Sequence, residues 1–184
     1  MTLQGSAADV HNQTVLGGAG GDQITVRVAS GSSTWYYSAG INGGAGRDNF
    51  DLVFSTGSNG AYNTVAGGSG NDVITATYAS GATNTGSFYA GDTGSDTISI
   101  TFSSTIKNVS AGFTSFTAAN AATVNGGSGT DEITVLAESF TAGTFGVGTV
   151  DGGSGADTIT FGGAMGDSAG APDNVFTGLI AGGA

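Results

Sequence analysis

The chain has no cysteine, one proline, one histidine and three basic residues. Each shortage removes a class of protein. Without cysteine there is no disulfide scaffold, no thiolate zinc site and no thiol nucleophile. A single proline excludes a collagen-like chain. Three Lys and Arg against 14 Asp and Glu leave a net charge of -11, the wrong sign for nucleic acid or an anionic membrane surface. The lone histidine, His11, has no partner cluster and reads as a surface residue. No HExxH, GxSxG or phosphate-loop motif occurs, so no enzyme activity is expected. No apolar run approaches the ~18 residues of a spanning helix, so membrane insertion is not expected. Met1-Thr2-Leu3-Gln4-Gly5 lacks the basic stretch and apolar core of a signal peptide.

What the chain has in excess is glycine, 36 of 184 residues. This is not a flexible linker, because 38% of the chain is hydrophobic and it carries ten Phe and five Tyr. The glycines recur in one phrase. Gly17-Gly18-Ala19-Gly20-Gly21-Asp22 returns with variations from Gly43, Gly67, Gly91, Gly126 and Gly152. The six starts lie 26, 24, 24, 35 and 26 residues apart, and every copy has Gly at its fourth position and Asp at its sixth. A period in this range is the signature of a repeat architecture.

After each Asp the chain alternates. Ile24, Val26 and Val28 share one side, as do Phe50, Leu52 and Phe54, then Ile74, Ala76 and Tyr78, then Ile98, Ile100 and Phe102, then Ile133, Val135 and Ala137, and last Ile159 and Phe161. Period two with branched and aromatic residues predicts half-buried strands. A second apolar series, Val15, Ile41, Val65, Tyr89, Val124 and Val150, stands two residues before each phrase. Each repeat therefore reads as strand, glycine turn, strand and return loop, the loops carrying Ser30-Gly31, Thr56-Gly57 and Ser80-Gly81. One unit of ~25 residues cannot bury its apolar face alone, but stacked units can. The expected fold is all-β, a right-handed parallel β-solenoid of about six to seven coils with no helix. It forms a single domain over 1–184, with a degenerate coil at 1–16, a loop insertion at 105–120 and a degenerate coil at 162–184.

Stacking places Asp22, Asp48, Asp72, Asp96, Asp131 and Asp157 in one column. Carboxylates ~5 Å apart repel by about 3 kcal/mol per neighbour at an effective dielectric near 20. Three basic residues cannot neutralise the column, and a hard dication can. Calcium takes six to eight oxygens, mixing carboxylates with backbone carbonyls, and glycine lets a turn aim its carbonyls inward. Six turns leave five gaps, so about five calcium ions are expected, and their ten positive charges would nearly balance the net -11. Turn chemistry without metal is the plainer alternative.

GGSGNDVIT from Gly67 and GGSGADTIT from Gly152 resemble the hemolysin-type calcium-binding repeat of RTX proteins, GGxGxD followed by an alternating apolar strand. The resemblance extends over all six phrases. It implies a parallel β-solenoid that folds on calcium, outside the cell or at its surface, after type I secretion without a cleaved N-terminal signal. It implies the six motif aspartates as side-chain ligands. Carbonyls would come from Gly18, Gly20, Gly44, Gly46, Gly68, Gly70, Asp92, Gly94, Gly127, Gly129, Gly153 and Gly155. RTX repeats usually run every nine residues and line both sides of a roll. Here one phrase occurs per ~25 residues, a sparse form resembling bacterial S-layer and adhesin repeats, so metal should line one edge only. Arg47 at position five of the second copy and Asp92 at position two of the fourth depart from the pattern.

Other features read as structural. Asp9 and Asp167 belong to worn copies, and Asp151 suits a turn cap. Trp35, Tyr36 and Tyr37 read as packing residues rather than a sugar platform. The outward Thr25, Thr75, Thr77, Ser99, Thr101, Thr134, Thr158 and Thr160 suggest ice binding only remotely, because Arg27, Asp51, Val53, Glu132 and Leu136 interrupt the array. Neither end shows a recognisable cap. The incomplete phrase at 182–184 could meet the worn one at 5–9 head to tail. The expected function is that of a secreted, calcium-dependent subunit that assembles with itself into a filament, sheath or surface layer, in contact with a cell surface or polysaccharide. The alternative is an RTX-type stalk or secretion module of a larger adhesin or secreted protein.

Overall fold

The computed structural model describes residues 2–5, 14–28, 35–36, 40–55, 59–61, 64–79, 83–85, 87–102, 123–137, 149–163 and 179–182. Among them every strand pairing is parallel and there is no helix. The chain is an all-β parallel solenoid.

Its first sheet collects the strands that follow each motif Asp. In order these are β1 (Thr2–Gly5), β3 (Gln23–Val28), β6 (Asn49–Phe54), β9 (Val73–Tyr78), β12 (Thr97–Phe102), β15 (Glu132–Ala137) and β18 (Thr158–Gly163). The second sheet holds the strands that enter each motif. They are β2 (Val15–Ala19), β5 (Gly40–Ala45), β8 (Thr64–Ser69), β11 (Phe88–Thr93), β13 (Thr123–Asn125), β16 (Thr149–Asp151) and β19 (Leu179–Ala181). β14 (Ser128–Gly129) and β17 (Ser154–Gly155) continue this pairing into the turn.

A third, short sheet was not expected. β4 (Trp35–Tyr36), β7 (Asn59–Ala61) and β10 (Thr83–Thr85) pair along the return segments. Strands of two or three residues are too short to show a period, so only stacking reveals them. All three sides are described in three coils, against the six to seven complete coils expected. Three further coils are described on two sides, and the levels of β1 and β19 on one side each. The insertion at 105–120, the loop pairs 30–31, 56–57 and 80–81, and Asp9, His11, Tyr37 and Asp167 lie outside the described residues.

Register follows the sequence period. Ile24, Phe50, Ile74, Ile98, Ile133 and Ile159 stand opposite one another in turn. Val15, Ile41, Val65, Tyr89, Val124, Val150 and Ile180 do so across the core. A one-residue slip would turn all of these outward, which is why the register is fixed. The two inward faces meet as one core, in which Phe50, Ile74, Ile98, Val124, Ile133 and Val150 have no exposed surface. Phe54 and Tyr78 stack with ring centres 4.5 Å apart. The buried hydroxyls of Tyr78 and Tyr89 bond each other, which satisfies polar atoms that would otherwise be costly in an apolar core.

Candidate metal-binding edge

Each glycine phrase turns the chain from the second sheet into the first. Positions two and four take positive φ in every copy, and all but one of them are glycine: Asp92, at position two of the fourth copy, is the single non-glycine at positive φ among the described residues, at 71°. From the second copy on, position four has no room for a side chain. At Gly70, φ is 137° and a Cβ would overlap the carbonyl oxygen of Gly46 in the preceding coil. The turns are also bonded to one another through the backbone. The N–H of Gly46 donates to Ser69 O at 2.7 Å, and those of Gly70 and Gly94 donate to Thr93 O and Ser128 O at 2.8 Å.

The motif aspartates are brought together in one column, as their spacing predicts. They face into the turn: Asp48, Asp72, Asp96 and Asp131 are buried, and Asp22 and Asp157 half-buried. The two carboxylate oxygens differ. Oδ1 of the last five accepts a hydrogen bond from the backbone N–H of the Asp one coil earlier. Asp22 donates to Asp48 at 2.7 Å, Asp48 to Asp72 at 2.8 Å, Asp72 to Asp96 at 2.7 Å, Asp96 to Asp131 at 2.8 Å and Asp131 to Asp157 at 3.0 Å. Part of the repulsion expected in the column is therefore offset by N–H dipoles. Oδ2 of all six is buried and has no hydrogen-bond partner. Leaving such an acceptor unsatisfied costs about 1–3 kcal/mol, and more if it is charged.

The first glycine of each phrase makes room for Oδ2. A Cβ on Gly126 would lie 2.6 Å from Asp131 Oδ2, and one on Gly17 would lie 2.8 Å from Asp22 Oδ2. The same space is faced by the carbonyl oxygen of the first glycine in the next coil, as Gly91 O is for Gly67, at 2.7 Å from the missing Cβ. The surroundings of Oδ2 thus offer a carboxylate oxygen and a carbonyl oxygen, and Oδ2 meets no donor. An all-oxygen acceptor set suits a hard cation by ligand type. Among the described residues no three His, Cys, Asp or Glu side chains converge on one point.

Burial raises the carboxyls of Asp72, Asp96 and Asp131, against the lowering effect of a backbone hydrogen bond in each case. Neighbouring acids add to the rise: Asp48 and Asp92 for Asp72, Asp157 for Asp131, and Asp72, Asp131 and Asp92 for Asp96, which reaches about 6.

The carbonyls of positions two and four point along the stack. Gly18 O and Gly20 O face Gly44 and Gly46 of the next coil, and Gly127 O accepts the N–H of Ser154 at 2.8 Å. Arg47 is exposed, on the outside of its turn, and Asp92 is exposed as well. Asp151 caps its own turn, its Oδ1 accepting the N–H of Gly153 at 3.0 Å. Sequence reasoning missed two elements, the Oδ1 ladder and the carbonyl of the first glycine. The signal was present: Gly stands first in all six copies, as close approach requires. The chain matches no family model, no curated protein and no solved structure.

Proposed function

We propose that this chain is an RTX-like, calcium-dependent structural protein of the cell exterior that assembles with itself. The observation that carries the reading is the file of six buried Oδ2 atoms without a partner. A file of dications along these oxygens would relieve the six desolvated acceptors, and Asp22, Asp48, Asp72, Asp96, Asp131 and Asp157 are the residues that would hold them. The turn carbonyls would complete their shells, those of the first glycines foremost. Calcium's preference for oxygen and its tolerance of irregular shells favour it over the softer transition metals. A parallel sheet edge left free would template another chain, which is the route by which a solenoid of this kind would assemble with itself.

Calcium titration followed by circular dichroism and thermal melting tests the metal. Stability should rise with calcium and fall in excess chelator, as expected when binding and folding are coupled. Identical melting in calcium and chelator would sink the assignment. The Oδ1 ladder favours a second reading, in which the aspartates cap backbone N–H groups with no metal. That reading expects the identical curves.

A further inference from the structure

The coils of this solenoid are nearly interchangeable. Their inward columns are almost wholly apolar and every turn carries the same Asp, so a coil stacked on the wrong neighbour would keep most of its pairings. Loop closure penalises such an error little, because its entropy grows only logarithmically with length. Misassembly between like units is a characteristic failure of repeat proteins. One place in the core differs from the rest. Tyr78 ends β9 in the third coil, and Tyr89 lies in β11 of the fourth, across the return segment that joins them. Both are wholly buried, their hydroxyls bond each other, and the buried Ser87 hydroxyl bonds into the same cluster.

We propose that this hydroxyl cluster is a register lock, which marks the third coil as the neighbour of the fourth and penalises any stacking that leaves a coil out. At the equivalent places in other coils the sequence has apolar residues, as at Val28 with Ile41, Phe54 with Val65 and Phe102 with Val124. If the fourth coil is left out, the fifth takes its level and Tyr78 faces Val124 in place of Tyr89. Its hydroxyl then loses Tyr89 and Ser87 together in an apolar core, and an unmade hydrogen bond there carries its full desolvation penalty. If the third coil is left out, Tyr89 faces Phe54 and loses Tyr78.

Three observations support a lock over ordinary packing. Away from the aspartate column, the buried hydroxyl groups among the described residues are those of Tyr78, Tyr89 and Ser87, all at this one place. For stability alone, apolar groups of the same shape would serve as well; direction is what they lack, and fixing register is the best-attested use of a buried polar contact. Phe54 stacks on Tyr78 with ring planes 3° apart, which holds the phenol aimed at its partner. The cluster also stands beside the longest interval between phrases, 35 residues from the fourth to the fifth. There the chain has most slack for leaving a coil out.

The absence of native cysteine makes a skipped coil readable. Thr75, Ser99 and Thr134 stand in one outward column. Thr75 and Thr134 are two rungs apart, about 9.6 Å and beyond disulfide reach, but would be one rung apart, about 4.8 Å, with the fourth coil left out. A Thr75→Cys/Thr134→Cys chain is refolded from denaturant under oxidising conditions, and its intramolecular disulfide is measured by mass spectrometry. The native core should give background only. Adding Tyr78→Phe, Tyr89→Phe and Ser87→Ala together should raise the yield about tenfold or more, at a melting temperature close to that of the native core, because the whole cluster becomes apolar. Tyr78→Phe alone should raise it too, since the skipped stack then holds no orphaned hydroxyl. A Thr75→Cys/Ser99→Cys chain, which joins adjacent rungs, serves as the control for the native stack in each background. Background yield from either variant that keeps the control disulfide would overturn the lock. So would a rise of the same size from Ile74→Val, which loosens the core without touching a hydroxyl.

Discussion

Along one inward column of the first sheet the residues run Ile24, Phe50, Ile74, Ile98 and Ile133; the next column runs Val26, Leu52, Ala76, Ile100 and Val135. At the turn a few residues earlier, the succession is Asp in every coil. Both are ladders with the same spacing, built by the same stacking. The core ladder accepts Ala beside Leu and Phe beside Ile, because burial has no direction and neighbouring volumes can compensate. The turn ladder shows no change, because each Asp after the first must aim one oxygen at an N–H 2.7–3.0 Å away and all six fit the other over a glycine. Directional contacts fix identity, and apolar contacts fix only character.

Substitutions can break this contrast. The largest effect is expected in the turn backbone: Gly70→Ala combines a left-handed φ with overlap of Gly46 O, and should lower unfolding stability by about 4 kcal/mol or more in denaturant melts. Ile133→Ala, in the core, should cost about 3 kcal/mol through a cavity. It should leave the calcium response intact, which separates core from edge. Asp72→Ala should cost about 2 kcal/mol even in chelator, since Asp48 N–H loses its acceptor. Asp72→Asn sharpens the comparison, because it keeps an Oδ1 acceptor and puts a donor where Oδ2 has no partner. In chelator it should melt at or above the parent temperature, and in calcium it should gain less than the parent does.

The smallest effect is one of acidity. Burial gives the folded metal-free chain a tighter hold on protons at Asp72, Asp96 and Asp131 than the unfolded chain has. A folded state that binds more protons is favoured by acid. Stability in chelator should therefore increase as pH falls from about 6 toward about 4, the span between the raised Asp96 value and an ordinary carboxyl. With calcium the slope should reverse, since protons compete for the same oxygens. Parallel melting series with and without calcium would show the crossing, and two series of the same slope would contradict it.

The alternation after each Asp and the apolar residue before each glycine phrase were enough to read both main sheets and their register. They are period-two signals over four to six residues, and burial enforces them. β4, β7 and β10 were not legible, because two or three residues of mixed character carry no period. The Asp column was legible as a column. The unequal fates of its two oxygens were not, because they depend on how each carboxylate leans along the stack. The clue to that lean was the unvarying first glycine, such as Gly43 or Gly126, whose missing Cβ leaves space for Oδ2.

The fourth and fifth phrases stand 35 residues apart where others stand 24 apart, yet the bond from Asp96 N–H to Asp131 Oδ1 is 2.8 Å, the same as from Asp48 to Asp72. The stack counts rungs and not residues. Loop-closure entropy grows only logarithmically with length, so doubling a return segment costs about 0.6 kcal/mol. The chain has thus already run an insertion experiment on itself. A guest peptide spliced between β12 and β13 should ride on the solenoid without changing its pitch, which makes that segment a natural place to carry a tag, an epitope or a binding sequence.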